Sequence, residues 1–353
     1  MVRSDPSLPI LVLALLGAGL ATLSSAAPGG EFLRQLAFLG AALVLIAVIA
    51  RIGKRRILRY TAHLYAAALV LLILVRLVGT EVNGAQSWLY LGPLPGFQPS
   101  EFAKLALILA LAAVMHERPI EGARGYLRPL ALMLPPFALV FLEPDLGGAL
   151  VIAAIGGGML LVRGLPWRHL AVLALLTAVL FPSVVWPNLE PHQRTRIVSF
   201  MNPAADPQGS GYQVIQSTIA IGSGGLTGKG YGEGTQSQRG FIPYRHTDFI
   251  FPVLAEEGGF LGAMLLLGLY AALFWRLVAM AGECLYERDQ LIIIGVLVLI
   301  AFQVLVNIGV TLGLAPVTGI TLPLVSYGGT SLITTLTALA LAFVVHRDRY
   351  ADW

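Results

Sequence analysis

Residues 290–312 read QLIIIGVLVLIAFQVLVNIGVTL, twenty-three positions without an Asp, Glu, Lys or Arg. As a helix this run would be about 35 Å long, enough to cross the roughly 30 Å hydrocarbon core of a bilayer. Working outward from it, comparable apolar blocks occupy 8–26, 32–50, 57–78, 100–116, 127–142, 146–162, 168–186, 249–280 and 328–346. The chain has 353 residues, of which 57% are hydrophobic and only 12% charged, against about 25% charged in soluble domains. Its mean hydropathy is +0.79. A water-soluble globular protein is excluded. The expected fold is an all-α polytopic membrane protein, a single integral membrane domain over 1–353 with about ten transmembrane helices.

The basic residues orient it. Arg3, Arg51, Lys54, Arg55, Arg56, Arg59, Arg118, Arg124, Arg128, Arg163, Arg168, Arg276, Arg288, Arg347 and Arg349 make up 15 of the 23 Lys and Arg, and all fall on one face of a ten-span arrangement. The opposite connections, around Pro28, Gly84 to Gln98, Pro144 and Ala315 to Ser326, have none. Positively charged short loops stay in the cytoplasm, so both termini are expected there. The net charge of +4 then reports orientation, and nothing in the chain suggests a nucleic-acid partner. Arg3, the apolar run after it and the small residues Ser24 to Ala27 also resemble a secretory signal peptide. A single cysteine, Cys284, rules out an internal disulfide framework and reads as a packing residue.

One connection is long. Residues 187–248 lie between spans seven and eight on the extracytoplasmic face and carry Phe200, Tyr212, Ile215, Ile219, Tyr231, Phe241 and Tyr244. That composition is not the polar one of disorder, so the segment reads as a folded cap on the membrane surface.

Ionisable groups inside apolar blocks mark a pathway, a substrate or a partner. Glu101 and Lys104, at i and i+3, share one face at the start of the fourth span, with Ser100 placed to cap it. They read either as a structural ion pair or as a polar cavity that receives an anionic headgroup on Lys104. Glu143-Pro144-Asp145 is a tight turn on the same side, either solvated or part of that cavity. Glu256 and Glu257 lie two turns into the eighth span and require a partner. Arg245-His246-Thr247-Asp248 closes the long loop, and Asp248 is either a helix N-cap or a general base at the aqueous boundary. The stretch Gly222 to Gly230 fails the P-loop pattern, since Ser223 stands at the first required glycine and Gly230 at the required hydroxyl residue. Its amides either cradle a phosphate or merely give flexibility. The six histidines show no metal-binding spacing, so no tightly bound metal is expected.

Taken in order, several segments resemble the SEDS family of cell-wall polymerases (shape, elongation, division and sporulation). They are Gly96 to Lys104 (GFQPSEFAK), Glu143 to Gly147 (EPDLG), Tyr212 to Gln216, Ile219 to Gly230, His246 to Phe251 (HTDFIF), Ala255-Glu256-Glu257 with Gly259, and Leu322 to Gly329 (LPLVSYGG). Gly234 to Gln238 and the arginine before His246 look like the rod-shape branch rather than the division branch. The resemblance implies a peptidoglycan glycosyltransferase that polymerises lipid II into glycan strands outside the cytoplasmic membrane during cell elongation. It implies Asp248 as the essential loop aspartate and general base. Lys104, Glu101, Asp145 and Glu143 would line the substrate cavity, with Trp88, Arg194, Arg196, Arg239, Arg245 and His246 as further substrate contacts. The chain departs from the family at Ser87, where a basic residue commonly precedes the tryptophan. Implied partners are a class B penicillin-binding protein transpeptidase, other membrane proteins of the elongation complex and membrane lipids. No cofactor is implied, although a divalent cation, magnesium or manganese, would suit diphosphate departure. A lipid II flippase or transporter would also use buried ion pairs and proline-interrupted spans such as Pro135-Pro136. A non-catalytic scaffold of the cell-wall machinery is the third reading. The long loop with Asp248 favours chemistry over transport.

Overall fold

A computed structural model describes residues 6–27, 29–82, 85–90, 96–117, 125–180, 183, 186–207 and 209–350. Arg3, Pro28, Arg118 and Arg124, which contribute to the orientation argument, lie outside the described residues, as do 83–84 and 91–95. The described helices are α1 (Ser7–Ala26), α2 (Gly30–Ile52), α3 (Lys54–Arg59), α4 (Thr61–Val78), α5 (Pro99–Glu117), α6 (Leu127–Leu142), α7 (Leu146–Val162) and α8 (Trp167–Leu180). They continue with α9 (Pro191–Met201), α10 (Ser210–Ser223), α11 (Thr235–Gln238), α12 (Ile250–Gly282), α13 (Glu287–Thr311) and α14 (Gly329–Arg347). A two-stranded antiparallel hairpin, β1 (Thr80–Val82) and β2 (Ala85–Trp88), joins α4 to α5.

Seven of these helices, α1, α2, α4, α5, α12, α13 and α14, are long and apolar enough to cross a membrane, while α6 and α7 are apolar but shorter. The block 57–78 divides at Tyr60 into α3 and α4, and the block 168–186 contributes α8, Trp167–Leu180, among the described residues. The core forms around α5, which packs against α4, α6, α7, α13 and α14. Outer helices line up against it or its neighbours, α2 on α14 and α1 on α12. The leader-like N-terminal run is therefore part of the bundle.

One proline inside a helix has its missing amide replaced. Pro136 in α6 cannot donate to the Leu132 carbonyl four residues back, and the Tyr65 hydroxyl of α4 donates to that carbonyl at 2.6 Å instead. In an apolar surround such substitution is what makes a proline tolerable.

The segment between α8 and α12 is folded. Gln193 and Glu190 form a capping box at the start of α9. The Asp206 carboxylate accepts bonds from Ser199 Oγ, Ser210 Oγ and the amides of Gly209 and Gly211, tying α9 to α10. The glycine-rich stretch beyond α10 docks on a break in α12. Gly259 has φ +65° and ψ −164°, which interrupts the helix. The freed backbone groups pair across to the loop: Lys229 N–H donates to Glu256 O, Gly230 N–H to Glu257 O, Phe260 N–H to Gly225 O and Leu261 N–H to Leu226 O. These amides are engaged with protein carbonyls, so the phosphate-cradle reading of this loop gives way to a structural one.

The same stitch supplies partners for the two buried glutamates. Glu256 accepts from Lys229 Nζ at 2.8 Å and from the amides of Gln236 and Ser237. Glu257 accepts from Ser25 Oγ of α1 and from Gln238 Nε2. A Cβ on Gly259 would stand 2.2 Å from Gly228 N, and its positive φ alone costs about 1–3 kcal/mol for a residue with a side chain. Gly259→Ala should lower the thermal unfolding midpoint in detergent by at least that equivalent, whereas Gly17→Ala, with open space around it, should leave it near wild type. Equal midpoints for the two would show that the break is not required.

Candidate functional site

Asp248 closes the cap at the entrance to α12. Its position is fixed through the main chain. Three consecutive carbonyls are held from the far side of the fold: His246 O by the Tyr327 amide at 2.8 Å, Thr247 O by Ser326 Oγ at 2.6 Å, and Asp248 O by Asn307 Nδ2 at 2.9 Å. Asn307 of α13 also holds Ile320 O at 2.8 Å. The turn that brings the chain in requires Tyr244 at φ +53°. Among the described residues, no hydrogen bond engages the Asp248 carboxylate, which therefore does not serve as an N-cap. Burial pushes its pKa up to about 6, partly offset by Arg196.

A second carboxylate group sits at the turn between α6 and α7. Asp145 caps α7, accepting the Gly148 amide at 2.8 Å and Gln98 Nε2 at 3.3 Å. Burial raises its pKa, against the Gly148 bond, Lys104 and Arg196, which lower it. Lys104 and Glu101, one turn apart at the buried start of α5, pair at 2.6 Å. Gln193 of α9 donates to the Pro144 carbonyl at 3.2 Å, fastening the cap over this turn. The connection after α13 links the two carboxylate groups: Thr318 O would be 2.5 Å from a Cβ on Gly147, and Asp248 Oδ2 4.0 Å from one on Gly319. Arg196 acts electrostatically on both Asp145 and Asp248. The structure thus gathers Glu101, Lys104, Asp145, Arg196 and Asp248 around one polar region.

The other expected site residues are placed differently. Glu143 is fully buried, and among the described residues neither carboxyl oxygen has a hydrogen-bond partner. Burial and the neighbouring Asp145 charge push its pKa up to about 8, with Arg76 opposing. Trp88 closes the hairpin against the Gly96 backbone, two residues before Gln98. Arg245 straps the cap to α1, donating to Ala26 O at 2.7 Å and to Ser237 O. His246 packs edge-on against Tyr327, and burial lowers its pKa, with Glu31 opposing and Arg245 reinforcing the shift. Arg194 donates to the Pro187 carbonyl at 2.8 Å, and Arg239 is exposed on the cap.

The sequence reading passed over Asn307. Its signal is present in 290–312: an Asn and Gln303 within an otherwise apolar run.

The Glu143 shift has a sign. Its carboxyl moves from an ordinary 4.5 to about 8 on folding, so the neutral form is the one the fold favours. Stability from this group is fully present below about 4.5 and is lost as pH rises through about 8. Glu143→Gln, which cannot ionise, should therefore flatten the fall of the unfolding midpoint between pH 5 and pH 8.5. An unchanged pH slope would show that the carboxyl does not titrate there.

Compared with known proteins, residues 10–351 match the sequence model of the FtsW/RodA/SpoVE family, described as cell cycle protein. Peptidoglycan glycosyltransferase MrdB of Escherichia coli (strain K12) is 38% identical over 353 residues, 99% of this chain and 95% of that protein. Stage V sporulation protein E of Bacillus subtilis (strain 168) is 37% identical, over 91% of this chain and 87% of that protein. Among solved structures, a chain of a peptidoglycan synthase complex described as coordinating polymerization and crosslinking is 48% identical, with a TM-score of 0.88 and full coverage of both chains. The Thermus thermophilus rod shape determining protein RodA is 42% identical, with a TM-score of 0.78 over 99% of each chain. With a match that runs nearly end to end, this chain belongs to the FtsW/RodA/SpoVE family.

Proposed function

We propose that this protein is a peptidoglycan glycosyltransferase that polymerises lipid II on the outer face of the bacterial cytoplasmic membrane during cell elongation, with Asp248 as general base. The observation that carries the assignment is the combination at Asp248: a rigidly held backbone, a carboxylate free of hydrogen bonds among the described residues, and a pKa near 6. A carboxylate so placed is ionised at neutral pH and more basic than an exposed aspartate, the property a general base needs. Asp248 takes the proton of the acceptor sugar hydroxyl as that oxygen attacks the anomeric carbon of the donor. The bond to the lipid diphosphate breaks, and Arg196 offsets the charge gathering on the leaving group, with Lys104 as a second cation of the cavity for substrate diphosphate or glycan. Glu101, Asp145 and Glu143 shape the polar cavity, with Glu101 holding Lys104 and Asp145 holding the turn against Gln98. Trp88, exposed Arg239 and Arg194 meet the glycan farther out, while Arg245 and His246 keep the loop in place beside it.

No resident metal belongs to this reading. Among the described residues no three His, Cys, Asp or Glu are placed to share one metal ion, and Asp145 is bonded to Gly148 and Gln98 and Glu101 to Lys104. Magnesium or manganese would enter as the counterion of the diphosphate.

The membrane arrangement follows the charge pattern: ten spans, both termini in the cytoplasm and residues 187–248 as an extracytoplasmic cap. Because a similar structure belongs to a synthase complex of polymerization and crosslinking, a class B penicillin-binding protein transpeptidase is the expected partner, with other elongation proteins alongside. The deciding experiment is conversion of purified lipid II to glycan polymer, with a partner whose own glycosyltransferase domain, if it has one, is disabled. Asp248→Asn and Asp248→Ala should lose polymer by at least about 10²–10⁴-fold while still folding and binding the partner. The wild-type kcat/KM should fall as pH drops through about 6. Equal polymer from the variants would overturn the base assignment, and no polymer from a folded wild-type complex would favour a flippase or scaffold.

A further inference from the structure

A groove of about 360 Å³ runs between the cap and the connection that follows α13. This lies within the roughly 300–1,000 Å³ typical of ligand sites. Its walls are apolar, with Phe200, Ile215 and Ile219 on one side and Ala315 and Val317 on the other, and Arg196 is part of its lining. The same arginine acts electrostatically on Asp248 and Asp145. One wall of the groove is thus continuous with the region where the carboxylates meet, while Ile215 and Ile219 leave 38% and 45% of their surface open along it. Outward from it α9 carries Val198 and Met201, exposed by 47% and 78%, a surface suited to lipid rather than water.

An apolar trough lined in part by a cation that also acts on the general base complements an amphiphile whose anionic head adjoins the reacting carbon. The geometry points to this groove as the seat of the polyprenyl chain of one diphosphate-linked substrate, with Arg196 on the diphosphate. Polymerisation joins two lipid-linked sugars, each with its own diphosphate. Lys104, at the head of α5 and paired with Glu101, and Arg196, on α9, are two separate cations for two such groups. The groove is too small for a whole undecaprenyl chain, so it holds the isoprene units next to the diphosphate and lets the remainder pass into the bilayer. This inference rests on the glycosyltransferase reading and is tested apart from it.

The test is photolabelling of the full-length Asp248→Asn protein in nanodiscs by a lipid II analogue with a diazirine on the isoprene units nearest the diphosphate. Label should map to 210–219 and 313–317 and be competed by undecaprenyl diphosphate but not by phosphatidylglycerol. Label elsewhere, or equal competition by phosphatidylglycerol, would overturn the groove. Thr218 is exposed at the groove and bonds only to the Val214 carbonyl of its own helix. Thr218→Trp should therefore fill the space without unfolding the protein, reduce labelling and raise the wild-type KM for lipid II by about tenfold, with kcat nearly unchanged. Undiminished labelling would count against the proposal. Groove labelling without polymer from the wild type would sink the glycosyltransferase reading alone, and polymer with label elsewhere would sink the groove alone.

Discussion

The capture of three successive carbonyls, at His246, Thr247 and Asp248, is the constraint on which the site depends. A buried carbonyl left without a partner costs about 1–3 kcal/mol. Holding the main chain from α13 and the connection to α14 leaves the Asp248 side chain without a structural duty. Asp248 lies one residue before Phe249, the N-cap of α12, so its carbonyl is outside that helix's own ladder and takes its partner from Asn307 of another helix. The Asn307 amide also spans to Ile320 O, so the entrance of α12 and the 312–328 connection move together. The aspartate is positioned by groups that never touch its carboxylate.

Electrostatics separates the carboxyls that this scaffold gathers. Burial dominates at both Asp248 and Glu143, but what opposes it differs. Arg196 pulls Asp248 back to about 6. At Glu143 the adjacent Asp145 charge adds to burial and Arg76 only partly compensates, leaving it near 8. At neutral pH one is therefore an anion and the other neutral. Two acids with pKa values driven apart by their surroundings are suited to different roles, and of this pair Asp248 is the one that is both ionised and more basic than an ordinary aspartate. A neutral Glu143 also spares Asp145 a second charge two residues away.

Much of this is legible in the residues. The apolar blocks give the helices, and the i, i+3 spacing of Glu101 and Lys104 gives their 2.6 Å pair. What the sequence concealed are relations between distant positions. Lys54 reads as one charge among a basic loop cluster, yet it is buried against Asp289 at 2.8 Å, a pairing across 235 positions that no local pattern encodes. Arg245, beside the loop aspartate in the chain, points away from it to Ala26 and Ser237, because adjacency in sequence fixes no side-chain direction. The glycine-rich stretch looks like an anion cradle until Gly259 breaks α12 and consumes its amides. Composition reveals which groups are available, and only tertiary contact decides which remain free.

That distinction bears on which groups remain free at the entrance of α12. The cap is stitched to the interrupted helix by backbone pairs, to α1 through Ser25, Gln238 and Arg245, and to the α6–α7 turn by Gln193. These attachments use several polar groups of the cap, including Lys229, which pairs with Glu256 of α12. Arg196 is a cation of the cap that instead reaches both carboxylates electrostatically. A substrate with a polar head and an apolar tail meets its match only where such a charge borders an apolar wall, and α9 provides that border: one side turns toward Asp145 and Asp248, the other toward the lipid-facing groove.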